Sequence, residues 1–140
     1  MTKSRLFMAS LLAASALSFA APAAAQRIDN IVAFGDSYAD DGNLFQILGI
    51  VPPAPYSTGR FSGGTNYIDT LGQLTNSSIE NFAIGGALTD NTNTNGVGLP
   101  GFITEWNAFL AGGGGPFPTV SGSFDENDLL AISVGGNDAR

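Results

Sequence analysis

Three stretches of the sequence set a nucleophile or a hydrogen-bond donor directly behind an apolar run that closes on glycine. The first reads Phe34-Gly35-Asp36-Ser37-Tyr38-Ala39-Asp40-Asp41-Gly42-Asn43, the second Asn81-Phe82-Ala83-Ile84-Gly85-Gly86, and the third Gly135-Gly136-Asn137-Asp138. A serine held at a sharp turn between strand and helix exposes its hydroxyl, and its own backbone N–H can face the charge that develops on an attacked carbonyl oxygen. A glycine lets a second backbone N–H come close, with no Cβ in the way. An asparagine side chain adds a further donor, and removing one such donor costs about 10²–10³ in turnover. Ser37, a glycine of the Gly85-Gly86 pair and Asn137 are therefore the candidate catalytic residues of an acyl-transfer site, one nucleophile with a three-donor oxyanion hole.

These groups can meet only if the three runs lie side by side. Ile28, Ile31, Val32, Ala33 and Phe34 are apolar on both faces, which predicts a central parallel strand over Arg27 to Gly35. Further strands are predicted from Ser78 to Ile84 and from Leu129 to Val134. Between them, Leu44, Phe45, Ile47 and Leu48 recur at helical spacing up to a stop at Gly49. Tyr67, Ile68, Leu71 and Leu74 mark a second helix with Thr65 or Asn66 as its cap, and Phe102 to Ala111 a third, bearing Trp106 and Phe109. The proline-rich stretch Val51 to Gly64 and the polar stretch Thr89 to Pro100 read as loops that shape the substrate site. Gly112 to Gly115, with Pro116 and Pro118, reads as a flexible surface connection. Strands alternating with helices indicate an α/β fold with a mostly parallel sheet, in which ligands bind outside the carboxyl ends of the strands. All three polar stretches fall there.

Taken singly, several of these residues have plainer uses. Gly-Asp-Ser fits a turn with Ser37 as a helix cap, and Asn137 fits a turn. Asp36, Asp40 and Asp41 suit the N–H groups of a turn and a helix start better than a metal ion. Asp138 suits a loop brace. Arg60 could orient a substrate or pair with a carboxylate. Asn91, Asn93, Asn95 and Gly96 imitate the start of a calcium loop, yet Phe102 stands where the terminal acid belongs. Trp106, Phe109 and Phe117 suit a core or a wall.

The three stretches together carry a family resemblance. Gly35-Asp36-Ser37-Tyr38 resembles the first block of the GDSL, or SGNH, hydrolases, with Tyr38 where leucine is usual. Asn81 to Gly86 is similar to their second block and Gly135 to Asp138 to their third, while Gly59-Arg60-Phe61-Ser62 matches a segment common in lipase-like members. The similarity runs from Ile31 to Asp138 with the blocks in family order. It implies a flavodoxin-like three-layer α/β/α sandwich and an esterase or lipase acting on small-molecule or lipid esters. In it Ser37 is the nucleophile, and Ser37 N–H, Gly86 N–H and the Asn137 amide are the oxyanion donors. It also implies a last block, Asp-x-x-His, that supplies the general base; these 140 residues contain no His. Residues 26–140 are thus expected to be the N-terminal part of an SGNH domain truncated on its C-terminal side, with little or no turnover alone. The competing expectation is an exported acyl or glycan binding protein, or a decayed enzyme. Some members of the family also carry an outer-membrane barrel.

Composition narrows the setting. Lys3 and Arg5, the apolar run Leu6 to Ala20 and Ala23-Ala24-Ala25 form the three parts of a secretory signal, so residues 1–25 are expected to be removed after Ala25 and the product to be secreted or periplasmic. That run is too short for a membrane span, which needs about 20 residues. Past it, only Arg27, Arg60 and Arg140 balance all 12 acids. So acidic a chain repels nucleic acid and anionic lipid surfaces. With no Cys, thiol chemistry and Cys-held metals are excluded, and with neither Lys nor a Gly-x-Gly-x-x-Gly run past the signal a nucleotide site has no footing. No cofactor and no metal are expected.

Overall fold

The computed structural model describes residues 27–139, and the signal reading of residues 1–25 lies outside them. Strand β1 (Asn30–Gly35) is buried from Ile31 onward on both faces, as a run with no polar side requires. It is the centre of a parallel sheet. Strand β2 (Ser78–Asn81) lies on one side with Ser78 opposite Asn30, and β5 (Asp128–Ser133) on the other with Asp128 opposite Asn30. The order β2-β1-β5 puts the reversal of strand direction of travel between β1 and β5. Such a switch point is where a crevice opens at the carboxyl ends of parallel strands.

Alternating residues of β1 feed two cores. Ile31 and Ala33 face helix α2 (Tyr67–Thr75), packing with Ile68, Leu71 and Ala83. Val32 and Phe34 face helix α3 (Phe102–Leu110), packing with Phe82 and Phe109. Phe34 is the hub of this second core, with ring centres 5.3 Å from Trp106, 5.5 Å from Phe82 and 5.7 Å from Phe109. Burying one such ring stabilises the fold by about 1.5–3 kcal/mol. Helix α2 is capped by Asn66, not Thr65: the Asn66 side chain accepts the Asp69 N–H while the Asp69 carboxylate accepts the Asn66 N–H. This reciprocal cap satisfies two otherwise orphaned donors. The short helix α1 (Asn43–Leu48) stops at Gly49 in the left-handed conformation, as expected from its sequence.

Three elements differ from the sequence reading, the first being β1, which starts at Asn30 instead of Arg27. The second strand ends at Asn81 instead of Ile84, because the Asn81 side chain folds back to accept the Ala83 N–H. The chain beyond keeps contact with β1 through Phe82 N–H to the Ala33 carbonyl and Ile84 N–H to the Gly35 carbonyl, at 2.7 and 2.9 Å. The glycine-rich connection is a small hairpin of β3 (Gly113–Gly114) and β4 (Phe117–Thr119), whose Phe117 ring stacks on Phe82 at 5.2 Å. Glycine and proline hid a pairing that burial of one aromatic ring secures. On the outer side of β5, no further strand pairs with it among the described residues, and Leu130 and Ile132 stand exposed.

Candidate active site

The turn after β1 is set by Gly35. Its φ of 143° suits glycine alone, and a Cβ there would overlap the Ser133 carbonyl of β5. Asp36 N–H then bonds that same carbonyl at 2.9 Å, tying the turn to β5. The Asp36 carbonyl accepts the N–H groups of Ala39 and Asp40, both at 3.0 Å, and the Asp36 carboxylate accepts Tyr38 N–H at 3.0 Å. In a trans peptide the carbonyl and the following N–H point in opposite directions. With the Asp36 carbonyl turned into the loop, the Ser37 N–H points out of it. Ser37 is half-buried, and no hydrogen bond to a described residue holds its hydroxyl or its N–H.

The second loop repeats this arrangement. The Gly85 carbonyl accepts the side-chain amides of Asn93 at 3.0 Å and Asn95 at 2.9 Å, so the Gly86 N–H of the same peptide points away from them. Gly85 N–H is taken by Asp40 Oδ2 at 2.6 Å and Ala87 N–H by the Ile84 carbonyl at 3.0 Å, while Gly86 N–H has no acceptor among the described residues. Gly86 has a φ of 82°, and a Cβ would overlap the Asn93, Thr94 and Asn95 side chains. No other residue fits.

The third loop joins the second directly. Asn137 Nδ2 donates to the Ala87 carbonyl at 3.0 Å, one residue past Gly86, and this uses one of its two amide hydrogens. The Asp138 carboxylate accepts Thr89 N–H and the Thr89 hydroxyl, which braces the loop as expected. Gly136 lies close to the Asp36 carboxylate. The segments bearing Ser37, Gly86 and Asn137 are thus mutually bonded at one end of the sheet.

Buried carboxyls hold this end together from below. Asp40 accepts four backbone N–H groups: Gly42 and Asn43 at 2.7 Å on one oxygen, Gly85 at 2.6 Å and Leu44 at 3.2 Å on the other. Sequence pattern assigned it to helix-start amides, and it also crosses to the second loop. Burial raises its pKa and those four donors oppose the rise. Burial, then the Asp40 charge, pushes the Asp41 carboxyl up to about 6. Arg60 pairs with Asp69 through two donors on one guanidinium edge, Nε and Nη2, the latter at 2.7 Å, which straps the loop to helix α2. Among the described residues no group of His, Cys, Asp and Glu has the form of a metal site, and Asn93 and Asn95 spend their amides on Gly85.

Residues 31–140 match the GDSL-like Lipase/Acylhydrolase family. The chain belongs to that family. A stretch of 67 residues is also 36% identical to a protein named thermolabile hemolysin, from Vibrio parahaemolyticus serotype O3:K6 (strain RIMD 2210633). That stretch is 46% of this chain and 16% of the hemolysin.

In this GDSL-like chain one buried group escaped the sequence reading. Glu105 of α3 is fully buried, and its two oxygens accept Gly35 N–H at 2.8 Å and Ile84 N–H at 3.2 Å. It therefore bridges the end of β1 and the segment that follows β2 from the α3 side, as Asp40 links the turn to that same segment. Burial pushes its carboxyl up to about 9, and Asp40 and Asp36 add to the rise. The signal was available: Glu105 shares a helix face with Phe102 and Phe109, an acid on an apolar stripe.

Proposed function

We propose that this chain supplies the nucleophile and oxyanion hole of a carboxylic-ester hydrolase built on a flavodoxin-like three-layer sandwich. Ser37 Oγ attacks the ester carbonyl carbon and gives its proton to a general base; the carbonyl electron pair moves onto oxygen, where Ser37 N–H, Gly86 N–H and the second Asn137 amide hydrogen receive it. Collapse expels the alcohol, which takes the proton, and water then releases the acid from the acyl-serine. A histidine base must come from outside these 140 residues, which have none. The substrates of this reading are neutral small-molecule or lipid esters, met outside the cytoplasm after export.

The observation that carries the reading is the pattern of amide use. On both sides of Ser37 and of Gly86 the backbone N–H groups have internal acceptors, whereas these two do not, and the carbonyls of their peptides are pinned on the opposite side. Buried or half-buried donors that the protein leaves unpaired are open to water or to a ligand. Two such donors, one of them on the nucleophilic serine itself, are what this reading needs to receive a tetrahedral oxyanion.

A boronic acid tests the site without a base, because the equilibrium Ser-OH + RB(OH)2 to the tetrahedral serine boronate releases its proton to buffer. Butylboronic acid added to the 140-residue chain should give a tetrahedral signal in boron NMR and move the Ser37 and Gly86 amides. Ser37→Ala should abolish the adduct and Asn137→Ala weaken it by about 10-fold or more. An adduct that survives Ser37→Ala, or Gly86 and Ser37 amides unmoved at saturation, refutes the assignment. The lack of His favours a second reading, an acyl or glycan binding protein; binding of a short-chain ester or an acetylated sugar undiminished by Ser37→Ala, with no boronate adduct, would support it.

A further inference from the structure

The polar loop between Thr89 and Pro100 resembles a calcium loop in sequence and does something else in space. Asn93 and Asn95 both direct their carboxamides at the Gly85 carbonyl. Asn93 Oδ1 accepts Asn95 N–H at 2.8 Å, which locks the two side chains in one arrangement, and Thr94 N–H bonds the Gly86 carbonyl at 2.9 Å. The loop therefore holds the carbonyls on both sides of Gly86 and leaves its N–H free on the far side.

We propose that Asn93 and Asn95 are positioning residues for the oxyanion hole, fixing and polarising the peptide whose N–H is donated by Gly86. The inference rests on the esterase reading of the same site. Two donors on one carbonyl pull electron density toward its oxygen, which leaves the N–H of that peptide more positive and a stronger donor, since hydrogen bonds in series reinforce one another. They also remove the freedom of the Gly85–Gly86 peptide to rotate, a freedom that two adjacent glycines would otherwise give it. Preorganisation of this kind is what makes an oxyanion donor effective, because nothing then reorients as charge appears. Asn93 carries structural duty as well, through a bond to the Pro100 carbonyl at 2.9 Å. Asn95 is exposed, and its carboxamide bonds the Gly85 carbonyl, so it is the clean handle.

Asn95→Ala removes the donor, and Asn95→Asp keeps the shape while replacing the donor with an acceptor. Both variants, made in the full chain, should keep the wild-type urea midpoint and the wild-type dispersion of amide signals. In both, the free-state Gly86 amide proton should shift upfield and exchange faster, with the Ser37 amide unmoved. Butylboronic acid should bind each about 3- to 10-fold more weakly than wild type. Wild-type affinity in both variants, with the Gly86 amide unchanged, overturns the inference while leaving the esterase reading in place. Failure of the wild-type chain to form a Ser37 adduct overturns both, and that result is distinct because it needs no Asn95 variant.

Discussion

Asp40→Asn is the sharpest single test of how the site is held. The side chain keeps its size, so packing is undisturbed, but one carboxylate oxygen becomes an NH2 group. Four N–H donors on two oxygens is an arrangement only an acceptor-only group can satisfy. Whichever way the asparagine turns, two backbone donors face another donor: either Gly42 and Asn43, or Leu44 and Gly85. Each buried donor left unmade costs about 1–3 kcal/mol, which gives a range of about 2–6 kcal/mol. Release from the burial that raises the Asp40 pKa offsets part of this, so a loss of about 3 kcal/mol is expected. Against a stability of about 5–15 kcal/mol for a typical domain, that is easily measured. Urea unfolding at neutral pH, followed by the single Trp106, reads the loss. Amide exchange at Gly85, Leu44 and Asn43 then tells which pair was orphaned. A loss under about 0.5 kcal/mol, within the range of an ordinary surface change, would refute the reasoning. So would a large loss that left all four amides protected as before.

Other expectations concern the same end of the sheet. Glu105 has a folded pKa of about 9 against an ordinary 4.5, so the folded state holds a proton that the unfolded chain has lost; its stabilisation is complete below 4.5 and drains away as pH rises toward 9. Urea midpoints should therefore fall across that window, and Glu105→Gln should flatten the fall; a wild-type profile level from acid to alkaline pH contradicts the buried, proton-holding carboxyl. Gly35→Ala should destabilise by several kcal/mol, on the order of about 3 or more, because the β5 backbone fills the space and φ is positive. Thermal melting by circular dichroism measures it, and a variant that melts like wild type removes the close β1 to β5 approach.

What the sequence disclosed and what it concealed divide along physical lines. β1, β5 and the three polar stretches were legible because each strand is an apolar run that stops abruptly and glycine marks the stop, although only β1 is buried on both faces. A cap at Thr65 or Asn66 was legible because both residue types can accept a helix-start N–H, and only the structure decides for Asn66. The β3–β4 hairpin was not, since four glycines and two prolines carry no periodicity and only Phe117 gains by the pairing. The bridging use of Asp40 and Glu105 was hidden for another reason: each acid satisfies backbone amides far away in sequence, and an amide has no residue type to read. The same holds for Asn93 and Asn95, whose common target is one backbone carbonyl.

The parallel sheet also carries a consequence for how the molecule comes into being. Asn30 must find Ser78 on one flank and Asp128 on the other, so the central strand leaves the ribosome long before either neighbour exists. Until then its most apolar segment has two bare edges, and the search that closes them spans most of the polypeptide. Distant pairings of this sort slow folding and prolong exposure to aggregation. Assembly should therefore be late and cooperative, with the Ser37 turn, anchored on Ser133, among the last parts to acquire its native shape.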